Sequence, residues 1–380
     1  MDPAVLSPFD DYPVHQVAEP IRYVGTSDRN FYDRYYFNCF PVGGELMLAF
    51  GLGQYPNLGV TDAFAAVVYQ GKHRVVRASR ELGADRMDIS VGPLRIEVLE
   101  GLRRLRIVCE PAEEDGADYD VAFDLIWTGD AGPAQEPRHF SRDRYTGRTL
   151  VDSIRLGQTG NWSGSLHIGG EDFAVTPEHW HGFRDRSWGV RPVGEAEPKG
   201  IRSAREFGTF YWVYAPMQFD GFSIFTAIEE DRQGNRKREH AVRVVGSEEP
   251  VPMGRIEQKL EFVPGTRQVS SAVLRFHPAG QPPATVRVEP VLPLHIAVGT
   301  GYGLDADWRH GAYQGPLTVQ GLTMTAAEAA ARGGKYGVVE ALSRFHYEGQ
   351  DGTATGWGMF EYSIIGPHDP SGFTGMTDTA

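Results

Sequence analysis

Short segments of alternating apolar and polar residues cover most of the chain. Residues 94–101, 102–110 and 119–129 alternate as half-buried strands do, with one face toward a core and the other toward water. Aromatic runs at 31–40 and 207–217 are each followed by a turn and an apolar strand. The second half therefore repeats the pattern of the first, and we predict two halves built from antiparallel strands.

The sequence predicts very little helix. The 46 Gly and 25 Pro exceed the usual share and indicate many turns. Only residues 325–334 favour a helix, where Thr325 and Glu328 have the spacing of a capping box and Gly333 can end the helix. Short strands with turn signals between them are typical of an all-β barrel or sandwich.

The length of 380 residues predicts two domains. Residues 190–200 contain Pro192, Pro198 and several charges, which favours an exposed connection between them. We therefore predict an N-terminal domain over 1–192 and a C-terminal domain over 193–380.

Charge and composition restrict the possible partners. The formal net charge is −13, which disfavours binding to nucleic acid or to anionic membrane surfaces. No apolar run reaches the length of about 20 residues that spans a bilayer, and the first residues lack the features of a signal peptide. We expect a cytoplasmic protein that binds a small hydrophobic molecule, with a homodimer left open. Cys39 and Cys109 are expected to be buried free thiols.

The densest group of reactive side chains lies in residues 178–191. On a strand, alternation places one set of these side chains on one face: His179, His181, Phe183, Asp185 and Ser187. The other face carries Trp180, Gly182, Arg184, Arg186 and Trp188. The first face could supply a general acid or base. The alternative is a structural cluster, and we predict that Arg184, Arg191 and Trp188 join the two halves.

A metal site is an alternative interpretation of this segment. His179 and His181 on one face could chelate a metal, with Asp185 and a distant His295 or His310. The Gly-Pro-rich second motif of the cupin oxygenases is missing, so we predict no metal and no cofactor.

Two further groups are candidates for a site. Residues 307–315 join charged and aromatic groups in a loop bounded by glycines. Glu340 is a carboxylate inside an apolar strand, where it needs a partner, and Arg344 is the nearest candidate. The aromatic strand around Tyr214 and Met217 could contact an apolar ligand or only pack in a core.

Four segments carry a resemblance to a known family. HGFRDRSWGVR (181–191) resembles the signature of hydroxyneurosporene-synthase-like proteins, which are carotenoid 1,2-hydratases and their AttH-like relatives. Residues 157–175, 308–315 and 351–361 are similar to other segments of that group, in the same order, and the four segments together span about half of the chain.

The resemblance implies two tandem lipocalin-like antiparallel β-barrels packed side by side. It also implies cofactor-free hydration, cyclisation or isomerisation of hydrophobic polyenes and terpenoids. Arg186 stands where His is common in the family, and an arginine cannot serve as the acid there because it stays protonated.

Our hypothesis is therefore a cofactor-independent lyase or isomerase that acts on a hydrophobic terpenoid, steroid or aromatic substrate. The pocket would lie at a barrel mouth or between the domains, and Asp185, His181 or His310 would transfer protons. The predicted substrate-binding residues are Trp188, Tyr214, Met217, Trp308, Tyr313 and Glu340. The alternatives are a lipid-binding protein without turnover and, less favoured, a metal-dependent oxygenase.

Overall fold

The computed structural model describes residues 9, 12, 14–114, 116–143, 146–195, 208–303, 305–333, 338–376 and 378–379. The first of its two sheets contains β1 (Phe31–Pro41), β2 (Leu46–Tyr55), β3 (Val60–Tyr69), β4 (Lys72–Glu81), β5 (Ser90–Val91), β6 (Leu94–Glu100), β7 (Arg104–Cys109), β8 (Val121–Gly129), β9 (Ala134–Gln135), β10 (His139–Arg142), β11 (Thr149–Ile168), β12 (Glu171–Val175), β13 (Trp180–Val190) and β21 (Leu317–Thr325).

The second sheet contains β14 (Phe210–Phe219), β15 (Phe222–Glu230), β16 (Arg236–Val244), β17 (Val251–Pro252), β18 (Arg255–Phe262), β19 (Val269–His277), β20 (Ala284–Leu294), β22 (Val339–Gly349) and β23 (Gly352–Ile365). Within the described residues the one α-helix is α1 (Ala326–Gly333), and Asp369–Ser371 form a single 3-10 turn. The predicted all-β class is confirmed.

The first sheet curls almost into a barrel. Its strand order is β21-β4-β3-β2-β1-β13-β11-β8-β7-β6-β5, and the long β11 also pairs with β9, β10 and β12. Arg80 of β4 donates a 2.7 Å hydrogen bond from Nε to the carbonyl of Ser90 in β5. The last strand of the sheet has therefore returned to the side of β4, and apolar side chains, among them Phe37, Phe50 and Trp127, fill the interior.

The second sheet curls into a half-barrel. Its order is β17-β16-β15-β14-β23-β22-β20-β19-β18. Arg236 of β16 donates to the carbonyl of Ile256 in β18 at 2.7 Å, so the two outer strands approach each other. The two predicted antiparallel β-barrels are thus present, the first as a near-barrel and the second as a half-barrel.

A third core lies between the sheets, in what we call the seam: the facing sides of β1, β11 and β13 on one sheet and of β14, β22 and β23 on the other. Phe183 of β13 contacts Tyr214 of β14 and Phe225 of β15, with ring centroids 5.7 and 6.1 Å apart. All side chains of β2 are buried because one face lines the barrel and the other is covered. Cys39 and Cys109 are buried free thiols, as predicted.

The division of the chain into domains is less simple than two consecutive halves. The predicted boundary after residue 192 falls between β13 and β14, and residues 196–207 of this connection lie outside the described residues. The domain limits remain a prediction. However, β21 comes from the second half and pairs with β4 as an edge strand of the first sheet.

The predicted helix begins with the expected capping box. The Thr325 hydroxyl accepts from the backbone N–H of Glu328, and the Glu328 carboxylate accepts from the backbone N–H of Thr325 at 2.8 Å. We expect Thr325→Ala to lower the free energy of unfolding by about 1 kcal/mol. Thr323→Ala, at an exposed position of the same strand, is the control. Urea titration of both variants measures the difference, and equal stability would contradict the role of the cap.

Candidate active site at the seam

The first sheet places a tyrosine opposite an aspartate at the seam. Tyr36 of β1 pairs with Asp185 of β13, which in turn pairs with Gly157 of β11. Alternation sends Tyr36 and Asp185 to the outer face of the barrel, toward the second sheet. Since Gly157 has no side chain, Phe183 and Tyr214 can approach its backbone beside Asp185; a Cβ there would lie 2.9 Å from Phe183 Cε2 and 3.1 Å from the Tyr214 hydroxyl.

The second sheet places two glutamates side by side, opposite Tyr36 and Asp185 of the first sheet. Tyr214 of β14 pairs with Glu361 of β23, and Glu361 pairs with Glu340 of β22. Directly opposed residues in antiparallel strands have Cβ atoms about 4.5–5.5 Å apart. Like charges at this distance repel each other, so the two carboxyl groups cannot both ionise at their ordinary pKa.

Hydrogen bonds hold each glutamate in place. The Tyr36 hydroxyl donates to Glu340 Oε2 at 2.5 Å, and Trp212 Nε1 donates to Glu361. Burial and then repulsion by Glu361 raise the pKa of Glu340 well above its ordinary value. Burial raises the pKa of Glu361 to about 7, against the opposing effect of Arg155. The pair therefore holds at least one proton at neutral pH.

Asp185 faces this pair and is not locked in a tight ion pair. Burial raises its pKa, while the positive charge of Arg155 opposes the rise. Arg155 Nη1 lies 3.9 Å from Asp185 Oδ2, which is longer than a hydrogen bond. The side chains of Arg155 and Asp185 keep 18% and 16% of their exposure, so small molecules such as water can reach them.

One buried carboxylate joins the two sheets at the edge of the site. Glu136 accepts two hydrogen bonds from Arg155, at 2.8 and 3.1 Å, and another from Arg238 of the second sheet. The guanidinium of Arg155 also lies 4.2 Å from the ring centroid of Tyr214. The Tyr214 hydroxyl is buried and has no hydrogen-bond partner among the described residues.

The fold brings together three residues predicted from the sequence, Asp185, Tyr214 and Glu340, and separates the others. His181 lies in a different cleft of the seam, beside Gln218. Met217 is in the core of the second sheet. The guanidinium carbon of Arg77 lies 4.4 Å from the ring centroid of Trp308. His181 lies four residues along β13 from Asp185, Met217 lies three residues along β14 from Tyr214, and Trp308 belongs to neither sheet.

The remaining predicted site residues have other neighbours. Tyr313 is 56% exposed and donates to Glu81. Trp188 lines a surface cleft together with residues 14–17 of the N-terminal segment. His310 is buried, its Nδ1 faces an Nη1 hydrogen of Arg34, and its Nε2 lies 2.8 Å from the carbonyl of Thr300. Since both ring nitrogens are engaged, His310 is better placed to hold Arg34 than to transfer protons.

The expectation that Arg184 joins the two halves is wrong. Its side chain points into the first barrel, where it donates a hydrogen bond to Gln158 and lies 4.7 Å from the ring centroid of Trp127. The opposite face of β13, with Phe183 and Asp185, packs against the second sheet, because the strand register puts Arg184 on the inner face. Arg191 and Trp188 form no ion pair or hydrogen bond through their side chains with the second sheet in the described residues.

The expected pairing of Glu340 with Arg344 is wrong as well. Glu340 and Arg344 are four residues apart along β22, and the Arg344 guanidinium lies 3.4 Å from the carboxylate of Glu289 instead. Glu340 instead receives its hydrogen bond from Tyr36 of the first sheet.

Four residues of the site are not among the predicted site residues: Tyr36, Arg155, Glu136 and Glu361. Glu361 lies in one of the segments that carry the family resemblance, and an acidic residue within an apolar strand was a usable signal. In the sequence, Arg155 and Glu136 look like ordinary surface charges, so no local pattern marks them. In the described residues no group of three His, Cys, Asp or Glu side chains has the arrangement of a metal site.

The comparisons with known proteins agree with the predicted fold. A candidate AttH from Nitrosomonas europaea has 14% sequence identity and a TM-score of 0.52, and the match covers 93% of this chain and 98% of that protein. Kievitone hydratase from Nectria haematococca has 14% identity and a TM-score of 0.51, with 90% and 92% of the two chains covered. The protein thus has the tandem lipocalin-like fold of these structures, as the resemblance implied.

A family model also matches the chain. The protein belongs to DUF8625, a family of unknown function, over residues 6–374. No curated protein matches the sequence. In the described residues no helix is long and apolar enough to cross a membrane.

Proposed function

We propose that the protein is a lyase or isomerase that transfers protons at the seam to a hydrophobic substrate with a double bond. The observation that carries this proposal is the pair of glutamates Glu340 and Glu361. They lie directly opposite each other on the adjacent strands β22 and β23, and they face Asp185 across the seam. A general acid works best when its pKa lies near the working pH, and the pKa of Glu361 is about 7.

In this proposal Glu361 donates its proton to one carbon of the double bond, which forms a C–H bond and leaves a cation on the other carbon. Water or a nucleophilic group of the substrate then bonds to the cation. Asp185 accepts the proton released from this nucleophile, and exchange with solvent returns a proton to Glu361. The net reaction is hydration or cyclisation, and loss of a neighbouring proton instead gives isomerisation.

The surroundings of the carboxyl groups support this assignment. Tyr214 and Trp212 form an aromatic wall beside the carboxyl groups, and Arg155 lies over both rings, 4.2 and 5.3 Å from their centroids. The first barrel is filled by its own side chains, which favours the seam over the barrel interior as the binding place. A protein with the same fold is named as a hydratase. Terpenoids, steroids and phenolic rings are the substrate classes we propose.

The proposal is tested by measuring whether the protein transfers hydrogen from solvent to a carbon of the substrate. Incubation of terpenoid and prenylated phenol substrates with the protein in D₂O should place deuterium on carbon, measured by mass spectrometry. We expect Glu361→Gln and Asp185→Asn to reduce this rate about 100-fold, because proton transfer by one side chain contributes that much or more. Glu348→Gln, on the exposed face of β22, is the matched control.

The result also separates the enzyme from a lipid carrier. Equal rates in Glu361→Gln and in the native protein would disprove the assignment of the acid. Ligand binding that survives in both variants, with no deuterium incorporated by the native protein, would establish a carrier.

A further inference from the structure

A cleft of about 670 Å³ opens at one end of the seam, where β13 ends and the loop 301–310 begins. Apolar side chains form part of its wall, including Leu150 and Val193. Three arginines, Arg148, Arg191 and Arg309, also line it, together with one acidic residue, Glu195. The cleft therefore combines an apolar wall with positive charge, in a chain whose net charge is −13.

Two of the three arginines of the cleft, Arg191 and Arg309, have no acidic partner in the part of the chain that the structure describes. Within the described residues, the side chains of Arg191 and Arg309 form no ion pair and no hydrogen bond, and Arg191 only lies against the ring of Tyr32, at 4.4 Å. Other arginines of the seam, such as Arg155, are paired. Two unpaired guanidinium groups on one wall are suited to a bound anion, because each offers several N–H donors.

Tyr302 connects the cleft with the carboxyl cluster. It lines the cleft, and burial is the main cause that raises the pKa of its hydroxyl to about 12. Glu340 and Asp185 add to this rise, and Arg191 opposes it, so all three lie within electrostatic reach of the Tyr302 hydroxyl. Arg191 also opposes the rise in the pKa of Asp185. Tyr302 also packs against the core between the sheets that contains Tyr36 and Tyr214, so the cleft adjoins the carboxyl cluster.

We propose that the substrate is an amphiphile whose anionic head group, a carboxylate or a phosphate, binds Arg191 and Arg309 in the cleft. Its apolar chain passes Tyr302 and brings the double bond to Glu361. This inference rests on the proposed function, since it adds the substrate class to the same site. The acidic side chains deeper in the seam repel an anion, so they fix the direction in which the substrate enters.

Three probes with one hydrocarbon chain test the head group: farnesoic acid, farnesyl phosphate and farnesol. Titration calorimetry of the native protein should give a Kd for at least one anionic probe about tenfold lower than that for farnesol, which corresponds to one charge-assisted contact. The tighter of the two anionic probes identifies the head group. The preference should weaken at high salt, because the cleft is open to solvent.

Variants of Arg191 and Arg309 test whether these residues cause the preference for the anionic probe. Arg191→Gln and Arg309→Gln should each reduce the preference for the anionic probe several-fold and leave the affinity for farnesol unchanged. Arg275→Gln, which removes an exposed arginine from β19, is the matched control and should behave as the native protein. Equal affinities of the native protein for all three probes, or no binding of either anionic probe, would overturn the inference. So would an undiminished preference in the Arg191→Gln/Arg309→Gln double variant.

The result of the head-group test does not depend on whether the protein catalyses a reaction. Glu361→Gln lacks the proposed proton donor but keeps both arginines, so it should retain the head-group preference. A lost preference together with solvent deuterium incorporation refutes only the substrate class. An intact preference without deuterium incorporation refutes only the proposed chemistry.

Discussion

Glu361→Gln should make the protein more stable than the native chain at pH 7.5, by about 3 kcal/mol, and equally stable at pH 4.5. Burial raises the pKa of Glu361 from 4.5 to about 7. A carboxyl group whose pKa is raised by folding contributes stability that is complete below pH 4.5 and is lost as pH rises toward 7. Each pH unit between these values is worth about 1.4 kcal/mol. Glutamine resembles the protonated acid and carries no such loss.

The difference between the two proteins is the quantity to measure, because other groups titrate in the same range. Burial lowers the pKa of six histidines, and their contribution to stability rises with pH up to 6.5. They are His73, His139, His181, His240, His295 and His310. These contributions are common to both proteins and cancel in the comparison.

Urea unfolding at half-unit steps from pH 4.5 to 7.5 provides the measurement. Glutamine keeps an oxygen that can accept the hydrogen bond of Trp212, so the variant should retain the local packing. Glu348→Gln should follow the native curve within a few tenths of a kcal/mol, since this residue lies on the surface. A constant difference between the Glu361→Gln and native proteins across this range would show that Glu361 ionises normally.

The sequence predicts the strands well because their pattern is local. Alternation along residues 119–129 reflects the two environments of β8, and the capping box of Thr325 and Glu328 needs only neighbouring residues. β2 is a different case, since both of its faces are buried and its apolar residues run without alternation. The local sequence of β2 does not show which parts of the protein cover each of its two faces.

The site follows from pairings between distant residues. Asp185 and Glu340 were identified singly, but Tyr36 reaches Glu340 across 304 positions of sequence. Whether two carboxylates lie side by side depends on strand register, and a shift of one residue would point them to opposite faces. The same reasoning explains the error about Arg184: alternation separated the faces of β13 correctly, while only the tertiary fold decides which face is inside the barrel.

Arg155→Met should cost about 3–5 kcal/mol of stability, because it removes one partner of a buried ion pair. Glu136 has only 2% of its side chain exposed and accepts two hydrogen bonds from Arg155. Among the described residues, Glu136 then keeps a side-chain hydrogen bond from Arg238 alone, and Asp185 loses the positive charge of Arg155. Arg344→Met, which breaks the exposed pair with Glu289, should cost less than 1 kcal/mol.

A double-mutant cycle tells whether this loss comes from the pair or from packing. Glu136→Gln alone leaves Arg155 and Arg238 close together without the carboxylate that separates them, so it should also be strongly destabilising. In the Arg155→Met/Glu136→Gln double variant the total cost should be smaller than the sum of the single costs by at least about 1 kcal/mol. Additive costs, or an Arg155→Met protein as stable as Arg344→Met, would mean that Glu136 does not join the sheets. Because Arg238 belongs to the second sheet, a measured coupling would locate the connection of the two halves beside the carboxyl cluster. The rigidity of the seam and the pKa values of its acids would then depend on the same three side chains.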